Sequence, residues 1–143
     1  MNKTQLLVFL RKQRLAVQAT ATSDGKPQAA VVGFAVTDDL EFVFDTLKQS
    51  RKAQNLLTNR HVALVIGWDD EITVQVEGLA DFPSGDDLHR IQQCYFDVYP
   101  DGRERLLWDG ITHVRVTATW VKYSDFTQDP PLVIEMSADQ LLD

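Results

Sequence analysis

The segment from Thr46 to Trp68 reads T-L-K-Q-S-R-K-A-Q-N-L-L-T-N-R-H-V-A-L-V-I-G-W. A strand, Glu41 to Thr46, leads into it; a helix starts near Ser50, and a second strand begins near Val62. Lys48, Arg51, Lys52 and Arg60 fall inside it and no acid does, in a chain whose formal charge is -7. Ser50 has the chemistry of an N-cap, which puts Arg51 and Lys52 in the first helical turn. Cations are misplaced there, because a helix N-terminus already carries partial positive charge that costs each roughly 0.3–1 kcal/mol. Free amide donors, a capping hydroxyl and two cations at one point suit an anion such as phosphate. As a merely solvated helix start, the segment would have no reason to lack compensating acids.

Upstream, Thr4 to Gln13 has helical spacing, with Leu6, Leu7 and Leu10 on one face. Leu15 to Thr22 and Gln28 to Val36 read as a hairpin around the turn Ser23-Asp24-Gly25-Lys26-Pro27. Gly33 inside the second of these strands predicts a bulge or a close backbone approach. Downstream, Val62 to Gly67 is an unbroken apolar run, expected to be a strand buried on both faces. Ile72, Val74 and Val76 alternate with Thr73, Gln75 and Glu77 in a half-buried strand that runs towards Phe82. Asp86 to Val98 is helical, with acids in its first turn, and an irregular stretch through Trp108 follows. Val114, Val116, Ala118 and Trp120 share one face of a last long strand, with core packing expected for Trp120. The tail after Pro130-Pro131 adds a short terminal element with Ser137 as its candidate cap. Six antiparallel strands of this length are best satisfied by closure into a barrel, and no linker divides residues 1–143, so a single domain is expected.

Composition narrows the function. A pI near 4.8 argues against general nucleic-acid binding, which depends on neutralising phosphates, but leaves room for one local phosphate site. Cys94 is the only cysteine and fits a reducing compartment. The one apolar run near the N-terminus, Leu6 to Leu10, is too short for a signal or a membrane span, so a cytoplasmic protein without membrane contact is expected. His61, His89 and His113 show no metal spacing, and no metal site is predicted. No Ser-His-Asp or catalytic-cysteine arrangement stands out, so no catalytic residue is nominated. Asn55, one turn beyond Arg51, either reaches the same groove or packs against a neighbouring loop. Asn59 is a candidate helix C-cap. Thr46 is equally readable as a local cap, since Gln49 lies three residues on.

Several of these pieces occur in an order that resembles a known family. The turn Asp24-Gly25-Lys26-Pro27, the strand end Phe44-Asp45-Thr46, and Ser50-Arg51-Lys52 with Asn55-Leu56 are similar to the pyridoxamine 5′-phosphate oxidase-like, FMN-binding split barrels. So are Val74-Gln75-Val76-Glu77-Gly78 and Trp120 with Tyr123-Ser124-Asp125-Phe126. The likeness is to the small, general-stress-protein-like members and runs from Leu15 to Phe126. It implies a six-stranded antiparallel Greek-key split β-barrel, mainly β with inserted helices. It also implies a homodimer with FMN between the subunits and a small-molecule substrate. Ser50, Arg51 and Lys52 would hold the FMN phosphate, and Asp45, Thr46 and Asn55 would lie along the cofactor. Main chain near Ala30, Val31 and Val32 would run beside the ring, and Thr73 and Gln75 would touch it from another strand.

The resemblance has departures as well. Ala30 and Ala35 stand where the name-giving oxidase carries an Arg and a Lys. Tyr95-Phe96-Asp97-Val98-Tyr99-Pro100-Asp101-Gly102-Arg103 keeps the Tyr and Pro of its substrate-phosphate pattern but puts Tyr99 and Arg103 where that pattern has an Arg and a Ser. Together these imply a retained cofactor site and an altered substrate site, hence a flavin-dependent oxidoreductase of unidentified substrate. The alternative is a carrier that binds flavin, deazaflavin or haem without turnover, with His61 or His113 as the candidate axial ligands.

Overall fold

The computed structural model describes residues 1–141. The elements, in chain order, are α1 (Lys3–Arg11), β1 (Leu15–Ala21), β2 (Pro27–Gly33), β3 (Ala35–Val36), β4 (Glu41–Leu47), α2 (Arg51–Thr58) and β5 (His61–Ile66). They continue as β6 (Ile72–Asp81), α3 (Gly85–Val98), α4 (Gly102–Arg105), β7 (Ile111–Asp125), β8 (Leu132–Ser137) and α5 (Ala138–Leu141). Every strand pairing is antiparallel, in the order β2-β1-β5-β6-β7-β4-β3, with β8 added to β7.

The two ends of that order are consecutive in sequence. The expected single strand Gln28–Val36 bends at Phe34, so β2 pairs with β1 at one edge while β3 pairs with β4 at the other. One bent strand thereby draws both edges of the sheet together, which is how a split barrel limits its exposed edges. Phe34 is buried at the bend, with Leu6, Leu10, Phe42, Phe44, Leu64, Ile66, Val74 and Val76 in the same core. The count of eight strands against an expected six has two sources. Splitting at Phe34 separates β3, and the tail forms β8 before the short helix α5.

Three sequence expectations need correcting. β5 alternates exposed and buried instead of being covered on both faces: Val62, Leu64 and Ile66 point inward, while Ala63 and Val65 lie on an open outer face. The irregular stretch before Trp108 contains a helical turn, α4. Trp120 is not a core residue. Between Glu77 and Gly78 the register against β7 shifts, because Glu77 pairs with Trp120 and Gly78 with Ala118. The extra residue, Thr119, turns Trp120 outward and passes the inner face to Val121 and Tyr123. Gly78 is required at this bulge, since a Cβ would sit 2.6 Å from the Thr117 carbonyl oxygen.

Gly33 does make the close approach expected of it: a Cβ there would lie 3.0 Å from the Tyr99 hydroxyl. That hydroxyl donates to the Arg14 carbonyl at 2.5 Å and ties α3 to the start of β1. A second cluster, Ala35, Val43, Ile91, Tyr95 and Phe96, seats α3 on the outside of the barrel. No helix among the described residues is long and apolar enough to cross a membrane.

Candidate cofactor-binding site

Helix α2 covers the mouth of the barrel at β1. Its inward residues Ala53, Asn55 and Leu56 are buried, so Arg51 and Lys52, in the first turn, reach out towards the edge strand β2. Ser50 is the N-cap: its hydroxyl accepts from the Ala53 N–H at 3.2 Å and shares a second hydrogen bond with Thr46 Oγ1 at 3.0 Å. Asn59 closes the helix, its N–H donating to the Asn55 carbonyl. Between α2 and the inner side of β1 and β2 lies a cleft of about 410 Å³, lined by Gln18, Thr20, Gln28, Ala29, Ala30, Arg51 and Lys52. Neither cation of that wall has a carboxylate within salt-bridge distance among the described residues.

Side-chain amides and hydroxyls form the floor. With Asn55 Nδ2 donating to Thr20 Oγ1 (3.0 Å) and to Gln28 Oε1 (2.7 Å), the Gln28 nitrogen would face the Arg51 guanidinium, donor against donor. Turning both amides over removes the conflict. Gln28 Oε1 then accepts from Arg51 Nε at 2.9 Å and from Nη2, while its nitrogen donates to Asn55 Oδ1, which also accepts from the Thr20 hydroxyl. Arg51 is thus oriented at the cleft mouth by a relay anchored in β1, with the rest of its N–H groups available to an anion. Below the relay, Gln18 is 3% exposed and its Oε1 is buried without a hydrogen-bond partner among the described residues. Leaving such an acceptor unpaired costs about 1–3 kcal/mol in an ordinary core.

The residues singled out in the sequence do not all meet. Ala30, Thr46, Ser50, Arg51, Lys52 and Asn55 gather around the α2 end of the barrel. Val32 shares the inner face of β2 with Ala30 and packs on the core. Val31 and Gln75 point the other way, to the outer face, where the register aligns Val31, Val17, Val65 and Gln75 across four strands. Thr73 is on that face too, two residues from Gln75. The Asp45 side chain is turned away from the cleft and lies under α3 and α4. It accepts from Arg105 Nε at 2.6 Å and from the Tyr95 hydroxyl at 3.0 Å, and only its main chain continues towards Thr46. Asn55, left open by the sequence, is buried behind the cleft and bonds Thr20 and Gln28 of its lining. Gln18, Thr20 and Gln28 are not among the sequence candidates, although polar residues at the inward positions of the alternating strand L-A-V-Q-A-T-A are a signal for the first two.

A larger cavity, about 570 Å³, opens between α1, α3 and β3 beside Cys94. Its cations are already engaged, Arg11 with Asp38 at 2.8 Å and Arg90 with Glu41 at 2.7 Å, and burial pushes the Cys94 thiol pKa up. Size alone therefore does not make it the anion site. His113 is 3% exposed beneath α3 among Tyr95 and Phe96, and burial pushes its pKa down, keeping it neutral. His61 is exposed at the start of β5. Neither lines the cleft. Tyr95, Tyr99 and Arg103 are also committed within the fold: Tyr95 to Asp45, Tyr99 to the Arg14 carbonyl, and Arg103 over the Phe96 ring at 5.1 Å.

A family model described as pyridoxamine 5′-phosphate oxidase matches residues 3–125. The chain belongs to this family. A pyridoxine/pyridoxamine 5′-phosphate oxidase of Burkholderia vietnamiensis is 33% identical over 107 residues, which cover 74% of this chain and 48% of that protein. The chain thus spans about half the length of this curated relative. Among solved structures, a heme binding protein from Mycobacterium smegmatis superposes with a TM-score of 0.83 at 13% identity, over 99% of this chain and 60% of the other. A pyridoxamine 5′-phosphate oxidase-related, FMN binding protein from Nostoc punctiforme gives 0.68 at 12% identity, over 94% and 93%. At these identities the superpositions establish the fold, a mainly β antiparallel split barrel.

Proposed function

We propose that this family member is an FMN-binding flavoprotein that works as an oxidoreductase on a small molecule. The observation that carries the proposal is the pair Arg51 and Lys52, without carboxylate partners among the described residues, at a capped helix N-terminus over a polar cleft. A phosphate dianion placed there gains two charge-assisted contacts, helix amides and the Ser50 hydroxyl. Bound FMN would supply the redox chemistry; the residues described here would anchor, orient and partly enclose it.

Haem, which the mycobacterial neighbour binds according to its name, fits the cleft less well. No histidine lines it, and Gln18, Thr20 and Gln28 offer amides and a hydroxyl rather than an apolar slot.

The functional protein is a homodimer in this proposal. Ala30 with Arg51 lies on the inner face of the sheet and Thr73 with Gln75 on the outer, so one flavin touching both groups needs two chains. The outer face is suited to a second copy, with Leu15, Val31 and Val65 between 39% and 63% exposed around Val17 and Ala63. The test is to purify the protein, scan it for bound chromophore, and titrate the ligand-free form with FMN by calorimetry. A flavin spectrum with saturable binding, one site per chain, is expected. Silence towards FMN, or a Soret band from a tightly held haem, would overturn the proposal.

A further inference from the structure

We infer that Gln18 is a specificity-determining residue, which reads a hydroxyl of the ligand's polyol chain below the phosphate. This rests on the FMN proposal and goes one step deeper into the same cleft. Gln18 lies on the inner face of β1, in register with Ala30 of β2 and with the buried Leu64 of β5. An apolar residue would satisfy that environment, yet an amide occupies it, and none of its hydrogen-bonding capacity is used by the described residues. The Oε1 atom is wholly buried with no donor near it. Thr20, Gln28 and Asn55, the other polar groups nearby, are engaged with one another and with Arg51. The unpaired amide and the phosphate-seeking cations line the same cleft, and Ala29 and Ala30 keep its β2 wall low.

A ligand that completes this arrangement carries a phosphate at one end and, a few atoms in, a hydroxyl able to donate to Gln18 Oε1 or accept from its Nε2. A phosphorylated polyol such as a ribityl phosphate meets both demands. An apolar macrocycle meets neither, and on entering the cleft it would leave the amide unpaired.

The test pairs two proteins with two flavins, read as dissociation constants by fluorescence titration. The proteins are the full chain and Gln18→Met, which keeps the side-chain volume and removes the amide. The flavins are FMN and an analogue whose phosphate hangs on a plain alkyl chain without hydroxyls. The substitution is expected to weaken FMN about tenfold, the scale of one buried hydrogen bond, and to leave the analogue unchanged or tighter. Thermal melting without ligand should show Gln18→Met at least as stable as the parent, because an unpaired amide has gone. Should Gln18→Met fail to fold, Gln18→Asn keeps the amide but withdraws it by one methylene and should give a smaller loss for FMN alone. Equal losses for the two flavins, or none for either, would overturn the role of Gln18 while leaving the phosphate site standing. Failure of the parent chain to bind either flavin would overturn both proposals.

Discussion

Two helices pack on one barrel, and their surroundings treat cations in opposite ways. Around α3, three guanidinium groups are neutralised. Arg90 pairs with Glu41 and Asp87, Arg115 with Asp81, Glu41 and Asp87, and Arg105 with Asp45 and Asp101. The consequence is mutual: the Arg90 guanidinium holds the Glu41 carboxyl below its usual range, and Arg90 with Arg115 does the same to Asp87. Around α2, Arg51 and Lys52 have no carboxylate partner among the described residues, and the Gln28–Asn55–Thr20 relay holds Arg51 with neutral groups. Neutral partners orient a cation without using up its charge. The α3 side is therefore organised for stability, and the α2 side keeps its charge for a ligand.

The largest effect should come from the unpaired side. Replacing Arg51 and Lys52 together by Ala removes two charged contacts worth roughly 1.5–3 kcal/mol each, so FMN affinity should fall by about two to four orders of magnitude. The melting temperature without ligand should move little, since the change removes the Arg51–Gln28 hydrogen bonds but no ion pair among the described residues. The matching change on the paired side, Arg115→Ala, strands Asp81 and leaves Glu41 and Asp87 with Arg90 as their one remaining cation. It should cost about 2–4 kcal/mol in urea unfolding and leave FMN affinity within about twofold. If Arg115→Ala damaged binding as much as stability, the division of labour between the two helices would be wrong.

A smaller loss, about 1–3 kcal/mol, is expected for Gly78→Ala, whose new methyl group meets the Thr117 carbonyl at the bulge. Chemical denaturation would measure it. The weakest effect is pH-dependent, and on the α3 side it has two parts. His113 is kept neutral by burial, so the unfolded chain binds its proton more readily. Stability should begin to fall as pH drops below about 6.5. Glu41 and Asp87, held below their ordinary values, contribute stability that is complete above about pH 5 and is lost on further acidification. Melting temperatures from pH 7 to pH 3 should therefore decline in two steps, and His113→Phe should abolish only the upper one.

The barrel was legible because its signals are local. Alternation in Ile72–Val76, the D-G-K-P turn and the Ser50 cap each specify their own few residues, and the strands had one economical way to close. What stayed hidden depends on partners distant in sequence. The bend at Phe34 follows from the two edges of the sheet meeting. The outward turn of Trp120 follows from one extra residue opposite Gly78, which no alternation within β7 reveals. The family resemblance implies Asp45 along the cofactor, beside Thr46. Successive residues of a strand face opposite ways, and Arg105, sixty residues on, claims its carboxylate. In the candidate site the charged residues could be read because charge at a helix start is conspicuous. The neutral amides carry a weaker signal, polar residues at inward strand positions, and Gln18 and Gln28 gain their meaning when α2 is laid across β1 and β2.

The central claim is that the α2 cations exist to hold a phosphate, and the preference for FMN over riboflavin measures that most directly. The two flavins share ring and polyol, so the ratio of their dissociation constants isolates the phosphate. The parent protein should prefer FMN by at least about a hundredfold, the scale of two charge-assisted contacts, and the preference should collapse to near unity with Arg51 and Lys52 replaced. Equal affinity of the parent for both flavins, or a preference that survives the double substitution, would contradict the account.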